Sequence, residues 1–301
     1  MLSVHKTIKQ IDAALARDGG AAFRTILQQE IANCTDAFRA EDDRYRSHLG
    51  GSQIGKKCER MLWLAYRWTH IEPTEPKMVR LFNRGHLEEA RFIALFKQAG
   101  INLWTHDPNT GEQFRVSHLG GHFGSALDGV FGQIPDWPAG VSYGLGEFKT
   151  HNLKSFTKLL DTGVRKNKPE HWDQMQFYMG KNNLPVALYF ATCKDNDELY
   201  AELVHFNHSD YQRILSKAER IIASPVPLPR LPQAAPTFNE CKYCDMQSVC
   251  LGGKKALMNC RTCVNSFPAA DGKWYCRAYS VELNKEQQKA GCGAHQYIAE
   301  L

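Results

Sequence analysis

Asp128, Glu147 and Lys149 flank one turn-rich stretch, and they are the residue types that metal-assisted hydrolysis uses. Asp128 closes an apolar run. Pro135, Pro138 and Gly140 follow, and a second run ends in Glu147-Phe148-Lys149. Alternate side chains of a strand share a face, so Glu147 and Lys149 point one way and Phe148 the other. Paired as a hairpin, the two runs bring Asp128 toward Glu147. Two close carboxylates repel unless a cation lies between them, and hard oxygens suit Mg²⁺ or Mn²⁺. A lysine beside that cation can position or activate a water. The competing reading is a surface hairpin carrying a solvated E-x-K pair.

The elements around this stretch must hold it in place. Residues 1–47 read as polar and helical, with helices over Ile8–Ala16 and Ala21–Arg46 split by Asp18-Gly19-Gly20. Ser52 reads as the N-cap of a helix running to about Trp68, with Cys58 inside it. A helix from about Met78 to Ala99 stops at Gly100 and places Phe82, His86, Ala90, Ile93 and Phe96 at helical spacing. His86 is therefore expected on the apolar face, either as a hydrogen-bonded core residue or as a partner of the carboxylates.

Short runs over Ile101–His106, Gln113–Ser117, Gly124–Phe131 and Ser142–Lys149 read as antiparallel strands. Helices are expected over Leu153–Leu160 and Glu170–Lys181, and Gln174 and Tyr178 share a face of the second. Between them, 161–169 reads as a flexible basic loop. With Lys154 and Lys158, its Arg165, Lys166 and Lys168 are candidates for gripping phosphate. Strands Val186–Cys193 and Leu199–Phe206 and a helix over Ser209–Ile222 complete this part. The five prolines of 224–236 then make a stiff linker.

Composition sets the outer bounds. The chain has 301 residues, 43% hydrophobic and 23% charged, with a net charge of +5, which permits a nucleic-acid partner without requiring one. No run approaches the roughly 18 apolar residues of a membrane span, and the first residues do not read as a signal peptide. A cytoplasmic location is expected by default. Ten cysteines in a reducing compartment point to metal rather than disulfides, and six of them crowd between 241 and 276. Cys241, Cys244 and Cys250 form C-x2-C-x5-C, one thiolate short of a closed site. The fourth ligand is Cys58 or a cysteine further on. Cys260-x2-Cys263, a strand at Trp274–Cys276, and Cys292-x2-His295 make a zinc-ribbon pattern with five candidates for four positions. The two knuckles are the natural tetrad, and Cys276 in place of His295 is nearly as good.

In order, Cys58, His86, Asp128, Glu147-x-Lys149, Gln174-x3-Tyr178 and C-x2-C-x5-C resemble the PD-(D/E)XK nucleases of the RecB type. Within them the set is similar to the iron–sulfur branch, the CRISPR adaptation nucleases and the AddB nuclease domain. The resemblance covers roughly 50–252. It implies an α/β, restriction-endonuclease-like core with a central mixed sheet flanked by helices. It also implies that His86, Asp128, Glu147 and the Phe148 carbonyl bind Mg²⁺ or Mn²⁺. Lys149 would orient or deprotonate the attacking water, and Gln174 and Tyr178 would brace the site and contact DNA. Cys58, Cys241, Cys244 and Cys250 would hold a structural [4Fe–4S] cluster. The expected division is a helical segment 1–50, a nuclease core 51–223, a linker and iron–sulfur tail 224–252, and a small zinc-ribbon-like module 253–301. Two departures from the family pattern stand out: the long, proline-rich loop between Asp128 and Glu147, and the C-terminal module itself, which resembles an accessory module of phage proteins. The implied activity is a metal-dependent DNA nuclease, an exonuclease on single strands or duplex ends rather than an endonuclease. It would work in the host cytoplasm if phage encoded, with a recombination or replication protein as a further partner. The alternatives are a non-catalytic DNA-binding adaptor on the same fold and a redox-sensing iron–sulfur protein.

Overall fold

The computed structural model describes residues 5–39 and 44–301. Along the chain run helices α1 (His5–Arg17) and α2 (Ala21–Asn33), strand β1 (Leu49–Gly50), and helices α3 (Glu59–Tyr66) and α4 (Pro76–Gln98). Strands β2 (Leu103–Trp104), β3 (Arg115–His118), β4 (Phe123–Ala126), β5 (Gly129–Phe131) and β6 (Gly144–His151) follow. Helices α5 (Leu153–Asn167) and α6 (Pro169–Asn182) come next, then β7 (Val186–Cys193), β8 (Leu199–His205) and α7 (His208–Ala223). Strands β9 (Ser266–Pro268), β10 (Trp274–Cys276) and β11 (Val281–Leu283) lie near the end. Among the described residues no helix is long and apolar enough to cross a membrane.

The chain divides into two compact units. The first comprises 1–42, 74–116 and 126–211, and the second 43–73, 117–125 and 212–301. The first unit is built on a five-stranded mixed sheet in the order β2-β5-β6-β7-β8. The expected antiparallel hairpin forms between β5 and β6, with Gly129 opposite Gly146. A meander does not continue from there, because β6 pairs with β7 in parallel, Glu147 beside Tyr189 and His151 beside Cys193. A parallel pair needs a long crossover, and α5 and α6 supply it. Strand β7 is buried along all eight residues, as a strand covered on both faces must be. Phe148 leaves the E-x-K face and joins Phe92 and Phe96 of α4 and Phe190 of β7. Phe96 and Phe190 sit 4.7 Å apart, and Phe92 and Phe148 5.3 Å apart.

Several sequence expectations need correction. Helix α2 ends at Asn33 and a short 3-10 turn covers Thr35–Phe38, so the long Ala21–Arg46 helix does not form; residues 40–43 of that range lie outside the described residues. Ser52 caps nothing: Gly51–Gln53 is a 3-10 turn, and α3 starts only at Glu59. Cys58 is therefore the N-cap rather than an interior residue, and its sulfur accepts the Met61 N–H at 3.4 Å. The basic stretch 161–169 is not a loop. It is the end of α5, broken at Gly163 (φ 72°), and the start of α6 at Pro169. Phe82 is 53% exposed instead of buried on the α4 stripe.

In the second unit, β9, β10 and β11 form an antiparallel sheet in the order β11-β10-β9. Its interior is organised by Arg261, which is 1% exposed. The guanidinium lies 3.6 Å from the Trp68 ring centre and 4.5 Å from that of Trp274. It donates to the Tyr66 and Ser47 carbonyls and to Gln288 Oε1 at 2.8–3.1 Å. Aromatic faces and three acceptors thus solvate a charge that, among the described residues, has no carboxylate partner. The proline-rich segment 224–236 has no regular structure. It is tied down by the Trp63 indole donating to the Ser224 carbonyl and Arg60 to the Leu228 carbonyl.

Candidate active site

Helix α4, the β5–β6 hairpin and the start of α6 surround a cleft of about 510 Å³ in the first unit. Its wall carries His86 and Glu89 from α4, Asp128, Phe148 and Lys149 from the hairpin, and His151, Lys168 and His171 beyond them. Asp128 sits between β4 and β5, where the turn into the hairpin aims it at the neighbouring strand. Its Oδ2 accepts the Phe148 N–H at 2.7 Å and lies 3.9 Å from Lys149 Nζ. Lys149 also donates to Glu147 Oε1.

Glu147 is fully buried behind Lys149, and its second oxygen, Oε2, is buried with no hydrogen-bond partner among the described residues. A buried acceptor without a donor costs free energy that the fold must offset elsewhere. Burial, opposed by Lys149 and reinforced by Asp128, pushes the Glu147 carboxyl up to about 8. Burial and the Asp128 charge push Glu89 up to about 8 as well. Burial works against the Lys149 ammonium, yet the Glu147 and Asp128 charges outweigh it and raise its pKa, so the group stays charged.

His86, Asp128, Phe148 and Lys149 all line this cleft, and Glu147 lies behind Lys149 rather than in its wall. Gln174 and Tyr178 are not in its wall. They are 5% and 1% exposed, and Gln174 Nε2 donates to the Tyr178 hydroxyl at 3.1 Å within α6. They can brace the helix but present nothing to a ligand in the cleft. The α6 residue that reaches the cleft is His171, one turn before Gln174. Sequence reading missed it, and missed Glu89 and His151. Glu89 follows His86 by three positions on a helix, which places both on one face, and that spacing is the signal that would have found it.

Among the described residues no three His, Cys, Asp or Glu side chains form a ready metal-ligand set. In the cleft the physical reason is plain: the Lys149 ammonium is itself the cation bonded between the acids. The donor set still fits a hard divalent ion, since Oε2 of Glu147 is an acceptor with nothing to accept from and Asp128 and Glu89 stand beside it.

In the second unit, Cys58, Cys241, Cys244 and Cys250 come close enough to act on one another's ionisation. Burial is the leading cause that raises the Cys58 and Cys244 thiols, and neighbouring sulfurs add to it. Cys260, Cys263, Cys276, Cys292 and His295 line a second, small cavity. Burial, then Cys292, Cys263 and Cys276, push the Cys260 thiol up to about 11. His295 Nε2 is 3.1 Å from the Thr262 hydroxyl, so one of its two ring nitrogens is already engaged.

No family model matches the chain, and no curated protein does. Among solved structures it is similar to an alkaline exonuclease, LHK-Exo, from Laribacter hongkongensis, at 18% identity and a TM-score of 0.40, with 60% of this chain and 88% of that one covered. The same exonuclease in complex with dAMP is similar at 18% identity and a TM-score of 0.41, covering 59% and 87%. SSO0001 is similar at 14% identity and a TM-score of 0.41, covering 77% and 97%.

Proposed function

We propose that the protein is a Mg²⁺- or Mn²⁺-dependent deoxyribonuclease that removes nucleotides from single strands or duplex ends. The observation that carries this reading is the buried, unpartnered Oε2 of Glu147 beside Asp128 and Lys149 at an open cleft. Asp128, Glu147, the Phe148 carbonyl and His86 would hold the cation, which when bound supplies neutralisation of phosphate charge. Lys149, kept charged by its two acids, acts as a donor that orients the attacking water and faces the phosphate; it is not the base. Glu89, which lines the cleft with Asp128, is placed to take a proton from that water.

Cys58, Cys241, Cys244 and Cys250 would hold a [4Fe–4S] cluster that clamps distant parts of the second unit, since metal binding to a thiolate set supplies folding free energy. Cys260, Cys263, Cys276 and Cys292 would hold a structural zinc, with His295 beside it as a non-ligand. The neighbouring sulfurs around Cys58 and around Cys260 support these two assignments.

The test is purification without oxygen, followed by a Mn²⁺ and Mg²⁺ assay on end-labelled single- and double-stranded DNA. Asp128→Ala and Lys149→Ala are expected to lose cleavage by at least about a hundred-fold while the brown colour persists. Cleavage that survives both substitutions overturns the assignment.

A further inference from the structure

We propose that the part of the cleft lined by Lys168, His151 and His171 is a second phosphate subsite, in which His171 Nε2–H and the Lys168 ammonium hold a phosphate next to the scissile one. The inference rests on the nuclease reading for the word "scissile" and on the local geometry for the rest.

The cleft wall carries both signs of charge. Glu89 and Asp128 share it with Lys149, Lys168, His151, His171 and Thr150, and Glu147 lies behind Lys149. The two imidazoles are coupled through one hydroxyl. His151 Nε2 is 2.8 Å and His171 Nδ1 is 2.9 Å from the Tyr189 hydroxyl. On its far side His151 Nδ1 is 3.3 Å from the Ser155 hydroxyl. A hydroxyl has one proton to give, so Tyr189 donates to one ring and accepts from the other.

One proton order uses every donor. Ser155 donates to His151 Nδ1, His151 Nε2–H donates to Tyr189, and Tyr189 donates to His171 Nδ1. The proton of His171 is then on Nε2, the ring nitrogen left facing the cleft. The reverse order would aim a bare lone pair into the cleft, suited to a second cation. The surrounding charge disfavours that. Burial first, then Lys149, His151 and Lys168, holds His171 neutral at about 2. Burial, then Lys168, Lys149 and Lys194, holds His151 neutral at about 4. Burial disfavours charge of either sign here, and the lysine charges that add to it favour an anion over a metal ion. Among the described residues the Lys168 ammonium has no ion-pair partner, although Glu170 acts on it from a distance.

A relay of four groups that ends in one N–H, beside an ammonium that lines the same cleft as Asp128 and Glu89, is what a fixed phosphate contact requires. Two sources present that phosphate: a terminal phosphate on the strand being degraded, or an internal phosphodiester flanking the cleaved bond.

The test uses the full chain with short single strands. One set carries a 5′-phosphate, a 5′-hydroxyl or a 3′-phosphate. The other carries one neutral methylphosphonate at each of the first few linkages. Binding is read by fluorescence anisotropy in EDTA, and kcat/KM in Mn²⁺. In the wild type, removing charge at one position is expected to lower both by about ten-fold or more, the size of a charge-assisted hydrogen bond. In His171→Ala that penalty is expected to shrink, because one of its two partners is already gone. His171→Gln, whose amide N–H reaches where Nε2 stood, is expected to restore it, and His171→Asn is not. Lys168→Ala is expected to flatten the salt slope of binding by about one unit, and it carries the test alone if His171→Ala does not fold.

A penalty at the strand end assigns the terminal source; a penalty at an internal linkage assigns the flanking one. The subsite is overturned if the His171 and Lys168 variants weaken charged and neutral strands alike, or if Gln and Asn at 171 are equally damaging. A wild-type protein that binds with these preferences but cuts nothing would refute the nuclease reading and leave the subsite standing.

Discussion

Replacing Glu147 by Gln measures directly what it costs to keep a carboxylate in this dry corner. The fold raises this group from 4.5 to about 8, which at roughly 1.4 kcal/mol per pH unit sets a ceiling of about 5 kcal/mol. The sign follows from linkage. Between these two values the folded protein keeps a proton that the unfolded chain releases. The group's contribution to stability is therefore full below 4.5 and is lost as the pH rises through 8. Gln has no proton to lose, so Glu147→Gln should hold its stability where the wild type declines. Water entry and repositioning of Lys149, which keeps Asp128 as a neighbour at 3.9 Å, reduce the ceiling to about 2–4 kcal/mol of difference accumulated from pH 5 to 9. Glu89 titrates in the same window and is itself raised in part by the Glu147 charge, so the comparison is made in a Glu89→Gln background. The assay is urea unfolding in EDTA at several pH values, with hydrogen exchange of the β6 amides to confirm that the first unit is being read. Mn²⁺ at pH 8 should stabilise the wild type and leave Glu147→Gln unmoved. Stability curves that run parallel from pH 5 to 9 would refute the reasoning.

Cys58→Ser is expected to bleach the anaerobically purified protein and increase protease sensitivity in 212–301, read by limited proteolysis with mass spectrometry. Cys276→Ser should lower bound zinc toward zero per chain while His295→Ala retains it, as measured by elemental analysis, because the Thr262 hydroxyl already engages His295 Nε2. Arg261→Lys keeps the charge but loses the planar fork between Trp68 and Trp274 and at least one of three acceptors. It is expected to destabilise the second unit by about 2 kcal/mol in thermal unfolding.

The hairpin that carries Asp128, Glu147 and Lys149 was readable because its causes are local: period-two alternation, turn residues between the runs, and a register that returns Gly146 to Gly129. The parallel pairing of β6 with β7 was not, because it is decided by how α5 and α6 cross the sheet, and no short window of sequence records that. The same crossover explains the basic stretch near 165. Its composition looks like a loop, but Val164 N–H is held by the Glu202 carboxylate at 2.8 Å, and the break is confined to Gly163. Phe82 was misplaced because helical spacing extends the apolar stripe of α4 past the point where the sheet ends and the cleft begins. Cys58 was placed inside a helix because a capping thiol is uncommon, whereas Ser52 upstream carries an ordinary capping side chain. Glu89, His151 and His171 escaped because each lies in a run that looks unremarkable alone. Only the tertiary fold sets them around one cavity.

The central claim is that a hard cation belongs between Asp128 and Glu147, and diffraction from crystals soaked in Mn²⁺ tests it without reference to activity. The anomalous map is expected to show one strong peak about 2.0–2.3 Å from an Asp128 oxygen and from Glu147 Oε2, with the Lys149 ammonium moved off Glu147. A map with no peak there, the ammonium still bonded to Glu147 at saturating Mn²⁺, would contradict it.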